Sequence, residues 1–176
     1  GYMGNSGRAF GHHLHFEVWE GNNRIDPTSY LDSDLPNVKK GYTGTITYQG
    51  YTNEWLPEVN KCDDTNEGYI GIYGTPLTAF RCKPEHGELI YEVHTLNGDW
   101  IGAVNSNDYS KGNGDSFAGY LGKPIDGIRI KSTKGWVRYR VHILGGDWLD
   151  WAEGFGDSGN EYGGIYGQVI DGIQMY

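Results

Sequence analysis

Long apolar runs, helical periodicity and positive charge are all scarce in this chain. No eighteen consecutive apolar residues occur, so nothing in it reads as a membrane-spanning helix. Alanine, leucine and methionine rarely recur at helical spacing, which leaves little basis for an amphipathic helix. Lysine and arginine number 14 against 23 acidic residues, a net charge of −9. Phosphate backbones are bound by neutralising them with Lys and Arg, so nucleic acid is excluded as a partner. Adhesion to an anionic membrane surface is excluded on the same ground. A neutral or cationic glycan or peptide stays open as a ligand. Cysteine is limited to Cys62 and Cys82, enough for one bridge in an extracellular setting. The alternative is a buried Cys82, which stands where later segments carry Ile130 and Met175. The chain starts with Gly and not Met, so the 176 residues read as the C-terminal piece of something longer, and the lack of a visible signal peptide says nothing about export.

Half of a metal site is also missing. Residues 11–18 run Gly-His-His-Leu-His-Phe-Glu-Val. Side chains alternate across a strand, so His13, His15 and Glu17 share one face while Leu14, Phe16 and Val18 share the other. Two imidazoles placed this way can hold Zn²⁺, or one can ligate while the other moves a proton. Together with Gly4-Asn5-Ser6-Gly7 before it and Arg24-Ile25-Asp26-Pro27-Thr28-Ser29-Tyr30-Leu31 after it, this stretch resembles the C-terminal motif of the M23 family of zinc endopeptidases, the lysostaphin type. The resemblance covers about the first thirty residues. It implies that His15 is a metal ligand and that His13 is the catalytic histidine acting on zinc-bound water. It also implies two further ligands, a His and an Asp, upstream of Gly1. A water-activating zinc site needs three protein ligands and an open position. Residues 1–31 are therefore expected to be inactive alone, with zinc and peptidoglycan hydrolysis belonging to a complete parent enzyme.

What is abundant is glycine, 29 residues, and tyrosine, 14. Glycine-punctuated short apolar stretches predict an all-β architecture with many tight turns. The stretches also repeat. Repeat 1 (residues 45–83), repeat 2 (88–131) and repeat 3 (136–176) are each about forty-five residues long, within the range of repeat architectures. Tyr48, Tyr91 and Tyr139 align, as do Trp55, Trp100 and Trp148. Gly71, Gly119 and Gly164 align, each followed three residues later by Gly74, Gly122 or Gly167. Leu77, Ile125 and Ile170 align next, then Phe80, Ile128 and Ile173. One such unit cannot bury its own apolar face. Three of them around a pseudo-threefold axis can, as a three-sided β-prism or, alternatively, a β-trefoil. Residues 32–44 are polar and turn-forming and read as a linker, which makes 45–176 one three-repeat domain.

The order of Val93-His94, Trp100, Ala118-Gly119, Gly122 and Ile128-Arg129-Ile130 resembles the clostridial hydrophobic repeats with a tryptophan, the ChW type. Departures are Asp99 and Asp147 where that family has Gly before the Trp, and Tyr51 and Glu54 in repeat 1. The resemblance implies attachment to peptidoglycan or a wall glycopolymer, in an extracellular or phage-encoded lysin acting at the host wall. The alternatives are a lectin-like carbohydrate-binding domain or a catalytically active lysin.

Sugars stack on aromatic faces and need hydroxyl acceptors nearby. Trp100 with Asp99, Trp148 with Asp147 and Trp151, and Trp55 are the ligand-binding candidates by residue type. A residue recurring once per unit is as readily a packing residue, and His94 and His142 as readily satisfied strand residues. Residues 63–67 carry oxygen ligands but lack a calcium-loop pattern.

Overall fold

The computed structural model describes residues 18–25, 41–63, 65, 67–101, 103–156 and 161–176. The chain divides into two compact units, Gly1–Val38 and Lys39–Tyr176, and the division falls inside residues 32–44. In the first unit, β1 (Val18–Glu20) pairs antiparallel with β2 (Asn23–Ile25), with Val18 opposite Ile25. Gly21 turns the chain at φ 62°. His13 and His15, expected from the sequence to serve a zinc site, lie outside the described residues.

The second unit is all-β, and no helix among the described residues is long and apolar enough to cross a membrane. Three long antiparallel hairpins organise it. Strand β3 (Ile46–Tyr51) pairs with β5 (Ala79–Pro84), β6 (Leu89–Thr95) with β9 (Ile125–Ser132), and β10 (Arg138–Ile143) with β13 (Ile170–Met175). The period-two alternation sets which faces are buried. Tyr48, Tyr91 and Tyr139 stand opposite Cys82, Ile130 and Met175, and all six are at most 1% exposed. Leu77, Phe80, Ile125, Ile128, Ile170 and Ile173 fill the same core.

A buried phenol must be satisfied. Tyr48 donates to the carbonyls of Lys61 and Gly68, Tyr91 to that of Ser116, and Tyr139 to those of Gly154 and Glu161. Burial pushes all three phenols well above the ordinary tyrosine range. Cys82 is buried in β5, where desolvation pushes its thiol up, and no disulfide joins it to Cys62.

Five two-residue strands complete the sheets: β4 (Ile70–Gly71), β7 (Val104–Asn105), β8 (Ala118–Gly119), β11 (Ala152–Glu153) and β12 (Gly163–Gly164). The sheet orders are β3-β5-β8, β12-β9-β6-β7 and β11-β10-β13-β4. Each sheet therefore borrows a short strand from another repeat. Strand β8 of repeat 2 joins the repeat 1 hairpin, β12 of repeat 3 joins that of repeat 2, and β4 of repeat 1 joins that of repeat 3.

The borrowing depends on glycine. Gly71, Gly119 and Gly164 have φ of 124°, 123° and 145°. A Cβ on them would sit 2.0 Å from the Asp171 carbonyl oxygen, 2.3 Å from that of Thr78 and 2.2 Å from that of Asp126. Only a residue without a side chain permits both the dihedral and the approach.

Candidate binding clefts

Each borrowed strand runs into a tight turn. The N–H of Thr75, Lys123 and Gln168 donates back to the carbonyl of Ile72, Tyr120 and Ile165, at 2.8, 2.9 and 2.9 Å. Gly74, Gly122 and Gly167, at φ 84°, 89° and 86°, supply the positive dihedral that a type II turn needs at its third position. The two residues between the paired glycines are Ile72-Tyr73, Tyr120-Leu121 and Ile165-Tyr166, all 39–58% exposed. Turn tips are normally polar, so three exposed apolar pairs at aligned positions are unusual.

The tips are held from below. Tyr73 packs on the His142 ring at 4.3 Å between centroids, and its hydroxyl accepts from Trp148 Nε1 at 3.0 Å. Tyr166 packs on His94 at 4.3 Å and accepts from Trp100 Nε1 at 3.2 Å. Behind each histidine is a buried carboxylate. Asp171 Oδ1 lies 2.6 Å from His142 Nδ1, while its Oδ2 accepts the Gly74 N–H at 2.8 Å. Asp126 Oδ1 lies 2.5 Å from His94 Nδ1, while its Oδ2 accepts the Gly167 N–H at 2.7 Å. One carboxylate thus binds its own repeat's imidazole and the neighbour's turn. Repeat 1 has Tyr51 and Thr78 at the aligned positions, and Thr78 Oγ1 accepts the Gly122 N–H at 3.3 Å.

The tryptophans are wedges rather than open platforms. Arg81 lies 4.6 Å over Trp55 and 4.5 Å over Tyr109. Arg129 lies 4.2 Å over Trp100 and 4.7 Å over Phe155. Arg140 lies 5.0 Å over Trp148 and 4.7 Å over Trp151. In each case a guanidinium is clamped between two rings, the geometry that favours cation–π attraction. Polar cross-strand neighbours fix the arginines: Gln49 for Arg81, Glu92 for Arg129 and Gln174 for Arg140. In repeat 3 the arginine sits on the opposite strand of the hairpin, and the glutamine takes its place. Tyr109 is held protonated to unusually high pH, first by burial and then by its hydrogen bond to Glu58.

The same tryptophans also buttress an aromatic residue of another repeat. Trp55 meets Phe117 at 5.4 Å, Trp100 meets Tyr162 at 6.0 Å and Trp148 meets Tyr69 at 5.7 Å. Each of those aromatics walls a cleft, which runs between the segment after the tryptophan and the borrowed strand of the same repeat. Leu56, Val59, Tyr69 and Ile70 line a cleft of about 180 Å³ in repeat 1. Ile101, Val104, Phe117, Asp108 and Asp115 line one of about 260 Å³ in repeat 2. Leu149, Asp150, Trp151, Ala152, Tyr162 and Gly163 line one of about 380 Å³ in repeat 3. A further open depression of about 500 Å³ beside Pro57, Lys61 and Glu67 has no aromatic lining.

Of the ligand candidates from sequence, Trp151 lines a cleft, while Trp55, Trp100 and Trp148 support cleft walls from behind. Asp99 and Asp147 are exposed, and their backbone carbonyls accept the N–H of Thr95 and Ile143. They line none of these clefts. Sequence reasoning missed Tyr73, Tyr120 and Tyr166. Their signal was present as an apolar pair enclosed by two glycines, a place where polar residues are expected. In the 63–67 loop, the Asp63 carboxylate accepts from the Thr65 N–H and hydroxyl, and these bonds lower its pKa. Among the described residues, no three His, Cys, Asp or Glu side chains are grouped to hold a metal ion. Compared with known family models, curated proteins and solved structures, the chain gives no match.

Proposed function

We propose that residues 45–176 are a wall-binding module that holds peptidoglycan or an attached wall glycopolymer, acting outside the cell or, in a phage-encoded lysin, at the host cell wall. The observation that carries this reading is the recurrence, in every repeat, of an aromatic-walled cleft next to an exposed apolar turn tip. Concave sites with apolar walls and a few polar groups are the general form of small-ligand sites, and sugars fit them through their C–H faces. Repetition suits a polymer, because linked weak sites gain avidity on a repeating ligand. Net negative charge directs the surface away from polyanions and toward neutral or amine-bearing chains.

In this reading the three repeats are related by a pseudo-threefold axis, in a prism-like arrangement. Three separate antiparallel sheets support that arrangement over a trefoil, in which barrel strands form one closed sheet. The cyclic order of borrowed strands, 2 onto 1, 3 onto 2 and 1 onto 3, supports the axis.

Residues 1–31 are, in the same proposal, the end of an M23 zinc endopeptidase domain. His15 would ligate Zn²⁺, and His13 would act on the metal-bound water once the upstream ligands are supplied.

The test is sedimentation of the full 176-residue chain with purified Gram-positive cell walls. Protein in the pellet, displaced by soluble wall fragments, is the expected result. Protein left in the supernatant with walls of every species tried would refute the module. Zinc-dependent clearing of wall suspensions by this chain would refute the assignment of residues 1–31.

A further inference from the structure

The three clefts are unequal, and the inequality has a cause in the side chains. Counting from the aligned tryptophans, Val59, Val104 and Ala152 occupy one wall position. Each pairs with the core tyrosine of its repeat: Val59 with Tyr48, Val104 with Tyr91 and Ala152 with Tyr139. Directly before the first turn glycine, Ile70 and Gly163 line the repeat 1 and repeat 3 clefts, while their repeat 2 counterpart, Ala118, is buried outside the lining. The clefts measure about 180, 260 and 380 Å³ in repeats 1, 2 and 3. Volume therefore rises from the Val and Ile walls of repeat 1 to the Ala and Gly walls of repeat 3, and repeat 2, which keeps the Val alone of that pair, lies between them. Only the repeat 3 cleft reaches the range of about 300–1,000 Å³ in which small-ligand sites fall.

The lining changes as well. The residue three after the tryptophan is Glu58 in repeat 1, Ala103 in repeat 2 and Trp151 in repeat 3. Pro57 in repeat 1 is matched by Asp150 in repeat 3. The repeat 3 cleft alone of the three has a tryptophan in its lining: Trp151 stands there with Tyr162 and the exposed carboxylate of Asp150, where repeat 2 has Phe117 and Tyr120 with Asp108 and Asp115. Trp151 is held in place by Arg140 on one side and by Tyr176 edge-on at 5.0 Å, and Tyr162 stacks on Tyr166 at 5.3 Å and 9°. The site is thus preorganised, which lowers the cost of binding.

We infer that the repeat 3 cleft is the principal ligand site and that it takes a non-anionic pyranose segment of a polysaccharide. The ring stacks on Trp151 and Tyr162, and Asp150 accepts from its hydroxyl or amine groups. This inference rests on the wall-binding reading and sharpens it to one site and one ligand class. An anionic polymer is disfavoured because Asp150 would repel it within the same cleft.

The experiment measures binding of the full chain to two probes: intact Gram-positive walls, and the same peptidoglycan stripped of its anionic polymers with hydrofluoric acid. Four variants are compared with the wild type. Ala152→Val installs the residue of the other two repeats, and Trp151→Ala removes a platform. Both are expected to weaken binding about tenfold or more, as loss of a central aromatic contact does. Asp150→Asn, at an exposed position that leaves the core untouched, is expected to weaken it about threefold, the size of one hydrogen bond. Ile101→Ala, in the repeat 2 cleft, is expected to change it less than about twofold, the range of peripheral contacts.

Wild-type binding to both probes with this ranking supports the inference. Wild-type binding with Ala152→Val, Trp151→Ala and Asp150→Asn all unchanged overturns it while leaving the wall-binding module standing. Binding that disappears on the stripped probe overturns the non-anionic ligand. Failure of the wild type to bind either probe removes the module and this inference together.

Discussion

Two of the three junctions between repeats are joined by an imidazole and a buried carboxylate, the third by the hydroxyl of a threonine. At the first two, Asp171 and Asp126 reach a histidine on one side and a turn N–H on the other at 2.5–2.8 Å. At the third, Thr78 reaches the Gly122 N–H at 3.3 Å, and Tyr51 stands in for the histidine. The backbone path is nevertheless matched, with turn glycines at φ 84–89° at all three. The junction therefore needs a short side-chain acceptor for the turn amide, and the imidazole and charge are additions to that requirement. Charge-assisted bonds are shorter and about twice as strong as neutral ones, so the third junction is the weakest.

Perturbations rank by how they treat this contrast. The largest is alkaline pH, which acts on all repeats alike and sets the baseline. Tyr48, Tyr91 and Tyr139 each have a folded pKa raised above 10.0 by burial. The folded state therefore keeps a proton that the unfolded chain gives up. Their contribution is complete below pH 10 and is lost as pH rises beyond it, at about 1.4 kcal/mol per pH unit for each tyrosine. Denaturant titrations from pH 8 to 11 are expected to show a flat region and then a steep fall, and stability unchanged at pH 11 would contradict the buried phenols.

Next come the carboxylates. Asp171→Ala and Asp126→Ala each strand a partly buried histidine and an amide, at a cost of about 3 kcal/mol. Thr78→Ala removes one neutral bond and is expected to cost about 1 kcal/mol. Equal losses at the three sites, measured by chemical unfolding, would erase the contrast.

The glycines come third. Gly71→Ala, Gly119→Ala and Gly164→Ala should each destabilise by about 2 kcal/mol from dihedral strain alone, irrespective of which junction carries the charge. A tolerated alanine at Gly119 would show that the repeat 1 sheet does not depend on β8.

The smallest effect is Trp148→Phe, which keeps a ring over Arg140 but loses the bond to the Tyr73 hydroxyl. A loss of about 1 kcal/mol is expected, together with faster hydrogen exchange at the Gly74 amide.

Some of this was legible in the sequence and some was not. Tyrosine and closing-strand alignments identified the long hairpins, because period-two burial leaves its mark on side-chain type. Tyr48, Tyr91 and Tyr139 are the plainest instance. Strands β4, β8 and β12 left no such mark, since Gly71, Gly119 and Gly164 join another repeat's hairpin through backbone contact alone. The tryptophans recurred visibly, but recurrence does not distinguish a sugar platform from a wedge. What distinguishes them is whether the ring lines a cleft, as Trp151 does, or props another repeat's aromatic from behind, as Trp55, Trp100 and Trp148 do, and an alignment shows neither. The cleft in repeat 3 depends on Ala152 and Gly163, two small residues whose meaning emerges only beside Val59, Val104 and Ile70. Trp151 broke the repeat in sequence, and in the structure it lines the widest of the three aligned clefts.

The most direct test of wall recognition through that cleft is co-sedimentation with stripped peptidoglycan, wild type against Ala152→Val. Wild-type protein in the pellet and the variant in the supernatant, both with the same thermal midpoint, is the expected result. Equal partition of the two proteins would contradict it.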